Sequence, residues 1–265
     1  MAQGRYGPDS RIRAMTPSPA GSEPAPPSAQ APRCYALVPC AGSGSRAGTE
    51  LPKQYAPIAG RAMVAHTLEA LARVPRIAAT LVVLAPDDEQ FERHVPAFAA
   101  STAGSTGWIA RRGGATRAAT VFNGLAELAA HGVQPHDWVL VHDAARCLVR
   151  APWIERLIDA CENDDVGGLL ALPLADTLKQ EGADEARVAA TLERKGKWLA
   201  QTPQMFRCGL LAHALKSAGD AVTDEASAVE ALGLAPRLVR GSVENLKLTW
   251  AEDFGMAERL LRGRV

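Results

Sequence analysis

Four short stretches of this chain carry groups suited to handling phosphates. Pro39-Cys40-Ala41-Gly42-Ser43-Gly44-Ser45-Arg46 is built almost wholly from small residues and ends in a cation. Small residues let a backbone approach a ligand, and successive N–H groups can cradle phosphate oxygens. Arg46 adds a charged donor for a polyphosphate. Gly42-x-Gly44 alone would also suit a tight strand-to-helix turn. It does not complete a dinucleotide fingerprint, because position 47 is Ala, and the Walker A spacing is absent. Leu51-Pro52-Lys53-Gln54-Tyr55 follows closely. In isolation such a Lys is most often a solvated surface charge. So near a phosphate-type loop and its Arg, Lys53 is a second cation able to neutralise charge that develops on transfer.

The third stretch is Gly113-Gly114-Ala115-Thr116-Arg117-Ala118-Ala119-Thr120-Val121. Its plain reading is a turn that opens a helix with Thr116 as N-cap. Its functional reading is a base pocket, in which loop backbone and the Thr120 hydroxyl read the edge of a pyrimidine. The fourth is His142-Asp143-Ala144-Ala145-Arg146. An Asp at the end of a strand can hold a hydroxyl or a divalent cation, and Arg146 suits a second phosphate. Each residue could instead be part of a structural ion pair. Their coincidence at one predicted edge favours function.

That edge is predicted by the elements between the motifs. Tyr35–Val38, Thr80–Leu84, Trp138–Val141 and Gly168–Leu172 are short apolar runs that read as buried strands, and Trp108–Ala110 as a weak one. Helical spacing covers 62–74, 89–98, 116–130, 154–161, 207–217, 224–232 and 252–261. Arg237–Val239 and Asn245–Leu248 read as further short strands. Strands alternating with helices predict a mostly parallel sheet covered on both faces. Ligands of such sheets bind beyond the carboxyl ends of the strands, where the glycine loops and His142–Arg146 fall. Residues 173–200 are polar and lack a helical period, which predicts a projecting β-arm. Residues 1–33 are Pro-, Ala- and Ser-rich with almost no large apolar residues, which predicts a disordered tail ahead of an ordered domain at 34–265.

Composition narrows the partners. The chain has 265 residues, 47% hydrophobic, with 29 basic and 29 acidic side chains. A balanced charge argues against a polynucleotide and for a small substrate or a protein partner. No apolar stretch reaches membrane-spanning length, and the tail has no apolar core of a secretory signal. Five Cys without C-x-x-C spacing indicate neither a disulfide framework nor a zinc site. Reduced thiols and a cytoplasmic location are the expectation.

Taken together, A-G-x-G-x-R, L-P-K-Q-Y, G-G-x-x-R-x-x-T-V and H-D-A-A-R in this order resemble the family of 2-C-methyl-D-erythritol 4-phosphate cytidylyltransferases. Asp176-Thr177, Gln201-Thr202-Pro203-Gln204, Thr223-Asp224-Glu225-Ala226-Ser227 and Asn245-Leu246-Lys247 extend the resemblance to nearly the whole ordered chain. It implies a Rossmann-like α/β nucleotidyltransferase whose arm hooks around its partner in a homodimer. It implies transfer of a cytidylyl group from CTP to methylerythritol phosphate with Mg²⁺, releasing pyrophosphate, in non-mevalonate isoprenoid biosynthesis. By the same match, Arg46 and Lys53 hold the triphosphate and stabilise the transition state. Ala41, Gly42 and Gly44 supply backbone to the nucleotide. Gly114, Ala115 and Thr120 hold cytosine, and Asp143 and Ala144 the ribose region. Asp143, Arg146, Thr223 and Lys247 face the substrate, joined by Thr177 and Arg194 from the partner's arm, with Arg194 and Lys247 also acting in the chemistry. No residue is assigned as a metal ligand. Ala115 stands where the family often has an acidic residue, and Cys147 where a Pro commonly follows, in a loop one residue short.

Three other readings compete with this one. A cytidylyltransferase for another polyol phosphate, such as ribitol 5-phosphate, shares the glycine loop and the P-K-Q motif. An NAD-dependent oxidoreductase is disfavoured by the incomplete glycine fingerprint. A non-catalytic nucleotide binder would have lost the Arg46 and Lys53 pair.

Overall fold

The computed structural model describes residues 1, 4, 31–42, 52–99, 107–183, 186–219 and 222–264. The chain divides into units 1–31 and 32–265, and the second carries the fold. Its first part holds β1 (Cys34–Cys40), β2 (Pro57–Ile58), β3 (Arg61–Ala62), α1 (Met63–Ala72), β4 (Ile77–Leu84), α2 (Phe91–His94), α3 (Pro96–Ala99) and β5 (Gly107–Ala110). Next come α4 (Arg117–Ala130), β6 (Trp138–Val141), α5 (Ala151–Cys161), β7 (Gly167–Pro173), β8 (Leu178–Glu181) and β9 (Val188–Leu192). The last part holds β10 (Trp198–Arg207), α6 (Cys208–Ala218), α7 (Glu225–Glu230), β11 (Arg237–Arg240) and α8 (Ala251–Arg262).

Seven strands make one sheet in the order β11-β7-β10-β6-β1-β4-β5. All neighbours pair in parallel except β10, which is antiparallel to both β6 and β7. The expected α/β architecture with a mostly parallel sheet is therefore the observed one. Period-2 alternation sorts β1 between two cores. Ala36, Val38 and Cys40 join the cluster that includes Leu68 of α1 and Ile154 of α5. Tyr35 and Leu37 face the cluster that includes Leu125 of α4 and Leu211 of α6. A third, smaller core beside the carboxyl edge packs Ala145, Cys147 and Leu148 against Leu248 and Ala257 of α8.

Register brings the motif loops to one edge. Leu37 pairs with both Leu81 and Val141, Cys40 with Leu84, and Val83 with Ala110. The segments after β1, β4, β5 and β6 thus leave the sheet together. The glycine pair is required by that crowding. Gly113 donates its N–H to Leu84 O at 2.8 Å, and a Cβ on it would meet that same carbonyl and the Ala41 side chain. Thr116 caps α4 by accepting from Ala119 N at 3.1 Å, as its sequence position predicted. A capping box of Asp224 and Ser227 starts α7.

Several expected elements differ. The helix expected over 89–98 is two short ones, α2 and α3, separated at Val95, because Pro96 lacks an N–H and disfavours helix in the residue before it. The strand expected at 245–248 is an irregular segment. Its Leu248 N–H bonds Ala145 O of a loop, so there is no strand beside it to pair with. The helix expected over 224–232 is regular only over α7. The arm contains the β8–β9 hairpin, but Pro173 pairs with Trp198 inside the main sheet, so its freestanding part lies between those residues. The predicted tail falls almost wholly outside the described residues. Its last member, Arg33, is tied down by an N–H bond to Asp137 Oδ1 at 2.8 Å.

Candidate functional site

A cavity of about 540 Å³ opens at the carboxyl edge of the sheet. Ala41, Gly42, Lys53, Gly114, Ala115, Thr120, Asp143, Ala144 and Lys247, all singled out in the sequence, line it. A larger cleft of about 740 Å³ lies between α1, the start of α5 and the end of α8. It contains none of the sequence-predicted site residues, so chemistry rather than size selects the smaller cavity.

Lys53 opens a single 3₁₀ turn over Lys53–Tyr55. That turn is anchored from both sides. Gln54 Nε2 donates to Cys40 O at 3.2 Å, and Tyr55 OH donates to Asp88 Oδ2 at 2.6 Å. Lys53 Nζ donates to Leu248 O at 2.6 Å. The neighbouring Lys247 Nζ sits 2.8 Å from Asp143 Oδ2. The irregular segment 245–248 therefore brings two ammonium groups, from the beginning and the end of the folded sequence, into one cavity. Asn245 fixes that segment. It is fully buried and donates from Nδ2 to Thr202 O at 2.9 Å.

Asp143 is the one carboxylate on the lining among the described residues. Both of its oxygens are held: Oδ1 by Arg117 Nε at 2.8 Å and Oδ2 by Lys247. Burial works to raise its pKa, but Arg117, Lys247 and Arg146 outweigh burial and hold the carboxyl far below the usual range. It is a permanent anion at neutral pH. Its backbone is held as firmly as its side chain. Asp143 N–H donates to Thr202 Oγ1 at 3.0 Å, and Thr202 Oγ1 lies 3.0 Å from His142 Nδ1. His142 Nε2 lies 3.2 Å from Arg146 O. A carbonyl can only accept, so Nε2 carries the proton and Nδ1 accepts from the Thr202 hydroxyl. Burial pushes the His142 pKa down to about 4, so the ring is neutral. His142 is a fixed strut of the loop.

Thr120 has a similar supporting part. Its Oγ1 accepts from Gly114 N at 3.0 Å and donates to Thr116 O at 2.9 Å. The hydroxyl is thus spent on the shape of the glycine loop.

Other predicted residues are placed differently. Gly44 and Arg46 lie outside the described residues. Arg146 is off the cavity lining. It donates to Asn245 O at 2.7 Å and to Ala200 O at 3.2 Å, tying the Asp143 loop to segment 245–248 and to β10. Thr223 lines a smaller neighbouring pocket together with Arg117 and Glu225. Thr177 and Arg194 are exposed at the base of the β8–β9 hairpin, and Arg194 borders a separate surface hollow beside Trp198. Cys147 is buried in the third core. The sequence reading gave no role to Arg117, Gln54, Thr202 or Glu225. Arg117 stood inside a quoted motif, and its place beside a Gly-Gly loop was the available signal.

The family profile described as 2-C-methyl-D-erythritol 4-phosphate cytidylyltransferase matches residues 34–263. The chain belongs to that family. It is therefore a nucleotidyltransferase with the family's α/β architecture. It is 53% identical over 237 residues to the 2-C-methyl-D-erythritol 4-phosphate cytidylyltransferase of Laribacter hongkongensis, covering 86% of this chain and 96% of that one. It is 60% identical over 239 residues to a protein of Albidiferax ferrireducens named "Bifunctional enzyme IspD/IspF", covering 90% of this chain but only 55% of that longer one. A crystal structure of a 4-diphosphocytidyl-2C-methyl-D-erythritol synthase superposes with a TM-score of 0.75 at 40% identity, over 87% of this chain and 98% of its own. The 2-C-methyl-D-erythritol 4-phosphate cytidylyltransferase of Thermus thermophilus superposes with a TM-score of 0.69 at 30% identity, over 87% and 99%. Among the described residues of this cytidylyltransferase, no helix is long and apolar enough to cross a membrane.

Proposed function

We infer that the protein transfers a cytidylyl group from CTP to 2-C-methyl-D-erythritol 4-phosphate in isoprenoid biosynthesis, releasing pyrophosphate. The observation that carries this reading is the convergence of Lys53, Lys247 and the ionised Asp143 on one cavity with the Gly42 and Gly114 loops. A phosphate oxygen of the acceptor attacks the α-phosphorus of CTP. A new P–O bond forms there, the bond to the bridging oxygen of the β-phosphate breaks, and pyrophosphate leaves. Both reactants are anions, so the obstacle is mutual repulsion, and positioning with charge neutralisation is the remedy. Lys53 and Arg46 act on the triphosphate. The backbone of Ala41, Gly42 and Gly44 cradles it, and Gly114 and Ala115 hold the base. Asp143 takes a hydroxyl of the ribose or acceptor, with Lys247 on the acceptor phosphate.

The donor set does not make a protein cage for Mg²⁺. Asp143 is the one lining carboxylate among the described residues, and a cation already occupies each of its oxygens. We propose that Mg²⁺ enters with the triphosphate, bound by phosphate oxygens and water, as is usual for this ion. We also propose a homodimer formed by arm exchange, with Thr177 and Arg194 serving the partner's site. Support comes from the apolar Val188, Leu192, Trp198 and Leu199, left 37–64% exposed on and beside the hairpin. A cytoplasmic location agrees with five unpaired, buried cysteines. Titration calorimetry against CTP, ATP and NAD tests the nucleotide. Binding of CTP alone is expected, and binding of NAD without CTP would overturn the reading.

A further inference from the structure

Arg117, the first residue of α4, lines the cavity, and Glu225, the first residue of α7, meets it from the smaller neighbouring pocket. Arg117 donates from Nη1 and Nη2 to the two oxygens of Glu225 at 2.7 and 3.0 Å. Its Nε donates to Asp143 Oδ1 at 2.8 Å. The Glu225 side chain is only 1% exposed. Every guanidinium nitrogen is therefore committed, and the plane of the fork is set by two carboxylates at once. Glu225 is itself held by its helix. Gln204 of β10 donates to Asp224 Oδ2 at 2.9 Å and accepts from Ala226 N at 2.8 Å, which fixes the turn on either side of Glu225.

Stability is a weak reason for such an arrangement. Burying an ion pair is often no better than packing apolar groups of the same volume. A lone Arg117 would also have a simpler choice, a two-nitrogen grip on Asp143. The Glu225 carboxylate removes that option by claiming both Nη atoms. What remains for Asp143 is the single Nε bond, which leaves its second oxygen to Lys247 on the cavity side.

We propose that Glu225, acting through Arg117, is a positioning residue that sets the aim of the Asp143 carboxylate toward bound nucleotide and acceptor. The inference rests on the reading of Asp143 as a hydroxyl acceptor in the site. Without the Glu225 charge, Arg117 turns and takes both Asp143 oxygens, and Asp143 is drawn off the cavity. The groups facing the assembly are Asp143 and Lys247 on one side, and Glu225 and Thr223 on the other.

The test is a double-mutant cycle on the full chain, with CTP and methylerythritol phosphate as substrates. Glu225→Gln is expected to lower kcat/KM for CTP by about 10- to 100-fold, mainly through a higher KM, with the melting temperature nearly kept. A purely structural role would instead lower the folded fraction, and hence kcat, with KM unchanged. In the Asp143→Asn background the same change is expected to cost less than twofold, because its route of action is gone. Glu225→Asp, which keeps the charge, should recover part of the loss. If Glu225→Gln does not fold, Arg117→Lys takes its place in the cycle, since Lys keeps the charge but cannot span both carboxylates. A penalty that multiplies fully in the Asp143→Asn background overturns the proposal. So does a Glu225→Gln enzyme with wild-type KM and kcat while Asp143→Asn is impaired. A fully active Asp143→Asn enzyme sinks the reading of Asp143 itself, and with it this inference.

Discussion

Replacing Lys53 by Ala removes one of the two ammonium groups that line the cavity. The structure sets the scale of the loss. Lys53 is half-buried and anchored on Leu248 O, so its charge is pre-aimed rather than mobile. Two unit charges about 4 Å apart at an effective dielectric of about 20 interact by about 4 kcal/mol. Lys53 is partly open to water and, on the proposed reading, also attracts the ground-state triphosphate, so only part of that acts on the barrier. Loss of one pre-organised donor costs about 2.7–4 kcal/mol in transition-state stabilisation, or roughly 10²–10³ in kcat. The lost bond to Leu248 O should cost about 1 kcal/mol of stability, since its donor is partly solvated. For a domain of this size that is a melting shift of about 2–4 °C. The assay is steady-state pyrophosphate release beside thermal melting of the same preparation. A Lys53→Ala enzyme within about threefold of wild-type turnover would refute the reasoning. So would a loss of activity matched by collapse of the fold.

Other consequences can be checked in parallel. Gly113→Ala puts a methyl against Leu84 O and the Ala41 side chain; about 1–3 kcal/mol of stability and weaker CTP binding are expected, measured by denaturation and calorimetry. His142 is held neutral with its pKa pushed from 6.5 down to about 4, so the unfolded chain binds more protons between those values. Stability should therefore fall as pH drops through that window, by at most roughly 3 kcal/mol from this group, and His142→Gln should show a shallower fall in urea denaturation at each pH. Mixing inactive Lys247→Ala and Arg194→Ala proteins should restore part of the activity if each arm completes the partner's site. A mixture as inactive as its parents argues against the exchange.

The predicted and observed structures agree where local signals were strong. Apolar runs such as Trp138–Val141 are buried on both faces, so composition alone announced them. The glycine loops and the Asp143 motif fell at the sheet edge because short connections put them there. Strand β10 was hidden because Gln201, Thr202, Pro203 and Gln204 interrupt its apolar residues midway. Gln201, Thr202 and Gln204 are buried, and partners distant in sequence, such as Asn245 and Asp224, satisfy them. Segment 245–248 misled in the opposite sense. Leu246 and Leu248 alternate like a strand, yet they pack beside α8 while the Leu248 carbonyl serves Lys53. Arg117 and Glu225 each stand inside a motif of the sequence, but nothing local marks them as partners. Only the fold brings them together, 108 residues apart in sequence.

In the proposed reaction, the cavity lined by Lys53 and Lys247 brings two phosphorylated anions together. Pyrophosphate release by the full chain, with CTP and a panel of polyol phosphates, tests that claim most directly. Rapid release with 2-C-methyl-D-erythritol 4-phosphate is predicted, with little from ribitol 5-phosphate. Faster release with ribitol 5-phosphate, or none with any member of the panel, would contradict it.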